Sequence, residues 1–486
     1  MSWPTPGAGA SGQVSGLRDD RMIVANSDRG SCYDWSRGRV WGATRPPFAA
    51  VTGCECPTKP YKTMLSLALA VLALPTVWIV DANNGPGTNF TDLPAAIATA
   101  QNGDTIIVRA GSYTAFFVAG KALTIRGAGP QTSIVDLQPV LPNHRQTTIH
   151  STPPGATFYL SGLGFEATTL GVGAAALNVE LGATVVLKNC KARGANISPL
   201  GFEAMRVCGS EVHAIRCEFL GGVSHSPCAF VGWCGGAAVH LQSNSRFAAD
   251  SCTFQGGSFP LTAVGGDGLR ISDSMATLSR CNLVGGTPTP NAALRGGDGI
   301  AATNVSSVRY SGNNLNLIQG GDGSTSGRAV FSDVSSAVSI HGQVTLCSAI
   351  CGLPWPATVG PVTLSAAPLP YLNISGTALP GGDTSATMPV VFDLDGVHPN
   401  AVYVLAIASQ PAYLSAAPFA LGVIQVPLLS SVTSFGFLDS TGHRTFSFVP
   451  AVLPPLLGYP VYSQAAVFNG AAGQFELSQG TVRFFR

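Results

Sequence analysis

The tetrad Gly-Gly-Asp-Gly occurs three times, at 265–268, 296–299 and 320–323. If these tetrads hold one place in stacked repeats, Asp267, Asp298 and Asp322 form a column of carboxylates about 5 Å apart. Such a column could hold Ca²⁺, which takes oxygen ligands. It could also supply the paired acids of glycoside hydrolysis. A plainer use of the motif is a turn, because glycine accepts positive φ and Asp bonds nearby backbone. The turn reading is the stronger one. The fuller Gly-Gly-x-Gly-x-Asp spacing of calcium-binding repeats is absent. Ca²⁺ is therefore an option, and no cofactor is expected.

Arg270 and Arg309 fall on strands near the tetrads and could act as bases, or equally be ordinary outward-facing residues. His213, His240 and His341 are single histidines on separate repeats, which suits surface or turn positions better than a catalytic set. Trp233 lies in a loop-rich stretch with Phe202, Phe219, Phe230 and Phe254, and aromatic faces stack on sugar rings. A rigid scaffold usually carries its binding residues on such loops. Asp267, Asp298, Asp322, Trp233 and Arg270 are thus the ligand-binding candidates. No catalytic residue and no metal ligand is assigned.

The elements that must position these residues repeat between Ala176 and Leu346. Each copy is a short alternating strand, a turn, a second strand, a Cys or Asn, and paired glycines. Cys190, Cys217, Cys252, Cys281 and Asn313 hold the repeated position, 27 to 35 residues apart. A period of this size marks a stacked repeat architecture. Short strands without helical periodicity make each copy one coil of a parallel β-helix, since an isolated coil cannot bury its inward face. Inward positions should include Val179, Val185, Leu187, Val207, Ile215, Leu241, Phe247, Leu269, Ile271 and Leu278. The ladder cysteines read as small buried side chains.

The stretch VDANNGPGTNFTDLPAAIATAQNGDTIIVRAGSY, followed by KALTIRGAG, is similar to the start of pectin lyase-like right-handed β-helix proteins. YLSGLGFEA from Tyr159 resembles their next coils. The likeness spans about residues 77–346. It implies a short helix capping the first coil, and it carries no activity by itself. Catalytic members use an Asp cluster with Ca²⁺ and a basic residue, or paired Asp with His-Gly and Arg-x-Lys steps. This chain has no Asp-Asp pair after its apolar leader and no Arg-Ile-Lys.

The expected fold class is all-β: a β-helix over 77–353, a Pro-rich linker over 354–370, and a small β-sandwich over 371–486. From Leu438 onward the last part resembles a C-terminal module of large secreted proteins of environmental bacteria. The apolar run 64–73 has the layout of a signal peptide, with basic residues before it and small residues at its end. Residues 1–63 then read as a disordered or over-extended leader. Of 12 cysteines, three lie in that leader, so an odd number remains. Cys347 with Cys351, and a pair among Cys208, Cys228 and Cys234, are the disulfide candidates.

Only 10% of residues are charged and the net charge is +1. That excludes electrostatic attraction to nucleic acid. The expectation is a monomeric, secreted or cell-surface protein with no membrane span in the mature chain. It should be non-catalytic, binding polysaccharide or serving a structural role. The alternative is a polysaccharide lyase or glycoside hydrolase.

Overall fold

The computed structural model describes residues 75–136, 146–167, 175–196, 201–223, 235–258, 264–288, 295–323, 325–348, 357–366 and 369–376, with further runs between 378 and 484. It also describes two N-terminal strands, Tyr33–Asp34 and Arg39–Val40, which pair antiparallel as a separate small unit. The apolar run at 64–73, Cys228, Phe230, Trp233, Cys234 and Cys351 lie outside the described residues.

The chain winds through three parallel sheets in turn, giving a right-handed parallel β-helix. The first sheet has 11 strands, from Val77–Val80 to Val362–Ser365. The second and third have nine strands each. Alternate residues point inward and build one continuous core, which includes Phe158, Leu187, Phe219, Phe247, Phe254, Leu278 and Tyr310. The helix Leu93–Thr99 covers the first coil with Leu93, Ala96 and Ile97. Its N-cap, Asp92, accepts from Leu93 N at 2.8 Å. Lys121 Nζ donates to the carbonyls of Ile97, Ala98 and Ala100, which close the helix's other end.

Each corner has its own ladder. Between the first and second sheets, one left-handed residue turns the chain: Asn189, Arg216, Ser251 and Arg280, with φ from 49° to 54°. The next residue in each case is the inward cysteine, Cys190, Cys217, Cys252 or Cys281, all free and buried. Between the third and first sheets a serine column spans the rungs. Ser245 N donates to Ser274 Oγ at 3.1 Å, and Ser306 N to Ser336 Oγ at 3.0 Å.

The corner between the second and third sheets belongs to the paired glycines. Here the outgoing and returning arms of successive loops interleave and bond to one another. Gly236 N donates to Gly222 O at 3.1 Å, Gly257 N to Gly236 O at 2.8 Å, Gly266 N to Gly257 O at 2.9 Å and Gly286 N to Gly266 O at 2.7 Å. A Cβ on Gly266 would sit 2.1 Å from Gly236 O, so only glycine fits.

Three expectations need correction. Asn316, not Asn313, takes the cysteine place in the fifth copy. Strand pairing sets Leu317 opposite Asn282, and a longer turn separates it from Ser311. Ile215 faces outward, under the C-terminal part, rather than into the helix. The β-helix also runs past 353. Thr358–Val359 and Val362–Ser365 form its last rung, within the segment expected to be a linker.

The C-terminal part is a small antiparallel sandwich. A three-stranded sheet of Tyr371–Gly376, Val390–Asp395 and His443–Phe448 faces a larger sheet centred on Val402–Ala408 and Pro460–Asn469. Leu372, Phe392, Leu394, Tyr403, Leu405 and Val467 fill the space between them. This unit docks on the outer face of the first sheet through Tyr159, Val186, Ile215, Ala406, Ala408 and Tyr462.

Candidate functional site

Among the described residues, the outer face of the third sheet carries a set of charged side chains in mutual contact. Strand pairing places Thr148, Asn178, Arg206, His240 and Arg270 on consecutive rungs of one outward column. Carboxylates stand beside this column, two residues before their third-sheet strands, on the returning arms of the glycine corner: Glu203, Asp267 and Asp298. Because they share one position in the coil, they stack with the rungs.

Each carboxylate is held by an arginine. Arg206 Nη2 lies 2.9 Å from Glu203 Oε2. Arg270 Nε lies 2.8 Å from Asp267 Oδ2. Arg295 Nη2 bonds both oxygens of Asp298, at 2.5 and 2.6 Å. The carboxylates also tie rung to rung. Asp298 N donates to Asp267 Oδ1 at 3.0 Å, and Arg328 N to Asp298 Oδ1 at 2.8 Å.

Exposure separates the two kinds of group. The Asp267 and Asp298 side chains are fully buried, whereas those of Arg206, Arg270 and Arg295 are 33%, 18% and 29% exposed. The face therefore offers guanidinium N–H donors outward, with their countercharges behind. Asn178 Oδ1 and Arg206 Nε are buried there without a hydrogen-bond partner.

His240 stands between Arg206 and Arg270 in the column. Its Nδ1 is 3.3 Å from Glu203 Oε1. Burial alone would raise Glu203, but Arg206 and the His240 hydrogen bond outweigh it and hold the carboxyl well below its usual range. Burial pushes His240 down, and Arg270 and Arg206 add to this against the pull of Glu203. A neutral His240 donating from Nδ1 to ionised Glu203 leaves Nε2 as an acceptor. Asp298 is pushed up to about 6 by burial and by the neighbouring Asp267, against Arg295.

The sequence candidates are thus divided. Asp267, Asp298 and Arg270 come together. Asp322 does not join them: it is exposed, and its tetrad follows a second-sheet strand instead of preceding a third-sheet one. It caps its own turn, with Gly323 N donating to Asp322 Oδ1 at 2.9 Å. Calcium would have to displace the arginines and backbone N–H groups that already use the oxygens of Asp267 and Asp298. Phe219 and Phe254 are core residues with rings 5.3 Å apart, so they cannot stack on a ligand. Arg309 and His341 lie on the first sheet, far from this column in the coil. Cys208 and Cys347 are disulfide-bonded.

Sequence reasoning missed Glu203, Arg206, Asn178 and Arg295. Glu203 and Asp267 each stand two residues before a third-sheet strand, and three residues before an arginine. That shared offset was the available signal.

No protein-family profile and no curated protein matches the chain. Among solved structures it is similar to pectin methylesterase PemA from Erwinia chrysanthemi, at 10% identity and a TM-score of 0.31, covering 59% of this chain and 94% of that one. A pectin methylesterase from Aspergillus niger is similar at 9% identity and 0.30, covering 61% and 86%. Tailspike protein 2 of bacteriophage CBA120 is similar at 12% identity and 0.24, covering 79% and 66%. The class rests on the chain's own three ladders: it is a right-handed parallel β-helix protein with a C-terminal antiparallel sandwich. Among the described residues no helix is long and apolar enough to cross a membrane.

Proposed function

We propose that this chain is a secreted or cell-surface β-helix that holds a polysaccharide along the outer face of its third sheet. The observation that supports this reading is the column Asn178–Arg206–His240–Arg270 on consecutive rungs. Rungs lie about 4.8 Å apart, close to the length of one sugar residue in an extended chain. Successive sugars would then meet successive polar side chains. Donors from arginine and an acceptor at His240 suit hydroxyl groups. Because each guanidinium is already paired, the strip adds little net charge, and a neutral or weakly charged glycan fits it.

The test is affinity electrophoresis through gels containing neutral and uronate polysaccharides. Arg206→Ala and Arg270→Ala should each weaken retardation about tenfold, the size of a charge-assisted hydrogen bond of about 1.5 kcal/mol. Raising salt should change it little. Retardation that both variants leave intact would reject the site.

A second reading, a polysaccharide-cleaving enzyme, is favoured by the Glu203–His240 pair. A neutral imidazole oriented by a carboxylate and flanked by two guanidiniums has the parts of a general base. The buried Asp267 and Asp298 cannot reach a substrate and are left out of that reading. Product release abolished by His240→Ala, with binding retained, would promote it.

A further inference from the structure

The larger sheet of the sandwich has two faces with different neighbours. Along Val402–Ala408, Tyr403 and Leu405 point into the sandwich core. Ala406 and Ala408 meet the first sheet instead, with Tyr462, at the seam between the two parts. Alternation puts Val402 and Val404 on this docking face too. Strand pairing sets Phe437 opposite Val402 and Phe435 opposite Val404. On the other side Ala466 stands opposite Val404, so Phe468, two residues on, shares the face. Phe468 and its cross-strand partner Phe475 pack edge to face, with ring centres 5.3 Å apart. The docking face therefore continues past the seam as an apolar surface. Phe435 is 82% exposed and Phe437 68%. Single exposed apolar residues are ordinary, but a contiguous patch marks a contact surface.

The patch ends on a free edge. Among the described residues, the strand Val432–Phe437 is last in its sheet and pairs only with Val402–Ala408. One row of its backbone N–H and C=O groups is thus open to another strand. Edge strands are usually guarded by charge, proline or a bulge. Val432–Phe437 reads VTSFGF, with no charged residue and no proline, and its pairing runs unbroken from Val432 to Phe437.

The chemistry of this strand selects its occupant. An open row of amides calls for another strand, because a sugar or a lipid offers no matching ladder. A strand without charge suits a partner equally uncharged, and a second copy of itself brings no like charges together. The same face already accepts a sheet of this protein at the seam, through apolar side chains. We infer that Val432–Phe437 pairs antiparallel with the same strand of a second copy of this chain, across a two-fold axis, so that the two larger sheets become one. With Gly436 at the axis, Phe435 of each copy meets Phe437 of the other on one face, and four rings cluster there. Such a pairing is isologous, uses up both free edges and closes at two copies. The chain is then a dimer, in place of the monomer expected from the sequence.

The experiment is sedimentation velocity of the full chain between about 1 and about 100 μM, with hydrogen exchange at both concentrations. A monomer–dimer equilibrium should appear, and the amides of Val432–Phe437 should be better protected at the higher concentration. Phe435→Lys, at an exposed position, should leave the circular dichroism unchanged and weaken dimerisation about tenfold or more. Phe437→Lys should do the same, which keeps the test decisive should the first variant misfold. A monomer throughout this range, a dimer that both variants leave intact, or assembly that grows beyond two copies would overturn the inference. So would a monomer whose retardation by polysaccharide is lost in Phe435→Lys, because the face would then belong to a sugar.

Discussion

Asp298 shows how one residue can read as chemistry in a sequence and as architecture in the fold. Its tetrad was visible, and so was its likeness to that of Asp267. What a sequence does not show is which arm of a loop a tetrad occupies. Asp267 and Asp298 sit on returning arms and stack; Asp322 sits on an outgoing arm and does not. Burial then decides the role, because a carboxylate without exposed surface holds coils together and touches no ligand. Asp298 is pushed up to about 6. Its folded state keeps a proton that the unfolded chain has released, so stability should fall by about 2 kcal/mol as pH rises from about 4 through about 6. Asp298→Asn should flatten that part of the profile in urea titrations. Asp298→Ala should cost about 2 kcal/mol at neutral pH, because it leaves Arg295 and the Arg328 N–H without their acceptor. A profile that the Asn variant leaves unaltered would place the titration on another group.

At the scale of elements, the repeats were legible because one physical demand recurs in every coil. A corner residue must turn left-handed, and the next must be small and inward, which yields the column from Cys190 to Cys281. Asn313 misled because a longer turn moved the frame to Asn316. The paired glycines were also visible, but their reason was not. It lies in contacts between different loops, where Cβ atoms would strike backbone oxygens. Gly266→Ala should therefore lower stability by about 3 kcal/mol or more. Gly470→Ala, where a Cβ meets nothing within 4 Å, should change it by less than about 0.5 kcal/mol. Thermal denaturation of the two variants checks the contrast. All four ladder cysteines are free and buried. The four ladder thiols should resist thiol reagents in the native protein and react together on unfolding, and reaction of any of them in native buffer would dispute the inward column.

At the scale of the whole molecule, two bodies of unlike cohesion share one chain. The β-helix core is continuous from Val80 to Ile340, and every interior coil is bonded on both sides. The sandwich has a small core of its own, and among the described residues its buried apolar contact with the first sheet is one cluster of six side chains. The sequence separated the two parts by composition, since Pro and Ala cluster around 354–370. It could not place one on the other, because Ile215 and Val186 carry the same alternation whether they face a core or a docking partner. Unfolding should follow this difference in cohesion. In urea the sandwich should lose protection first, giving one transition that leaves the coils intact and a second, steeper one for the helix. Slope scales with the surface exposed, so the second should have the larger dependence on denaturant. Hydrogen exchange along the titration reads both events. The strand Pro460–Asn469 should exchange in the first and the strand Arg246–Asp250 only in the second. A single coincident transition for both strands would mean that the seam couples them more tightly than its contacts suggest.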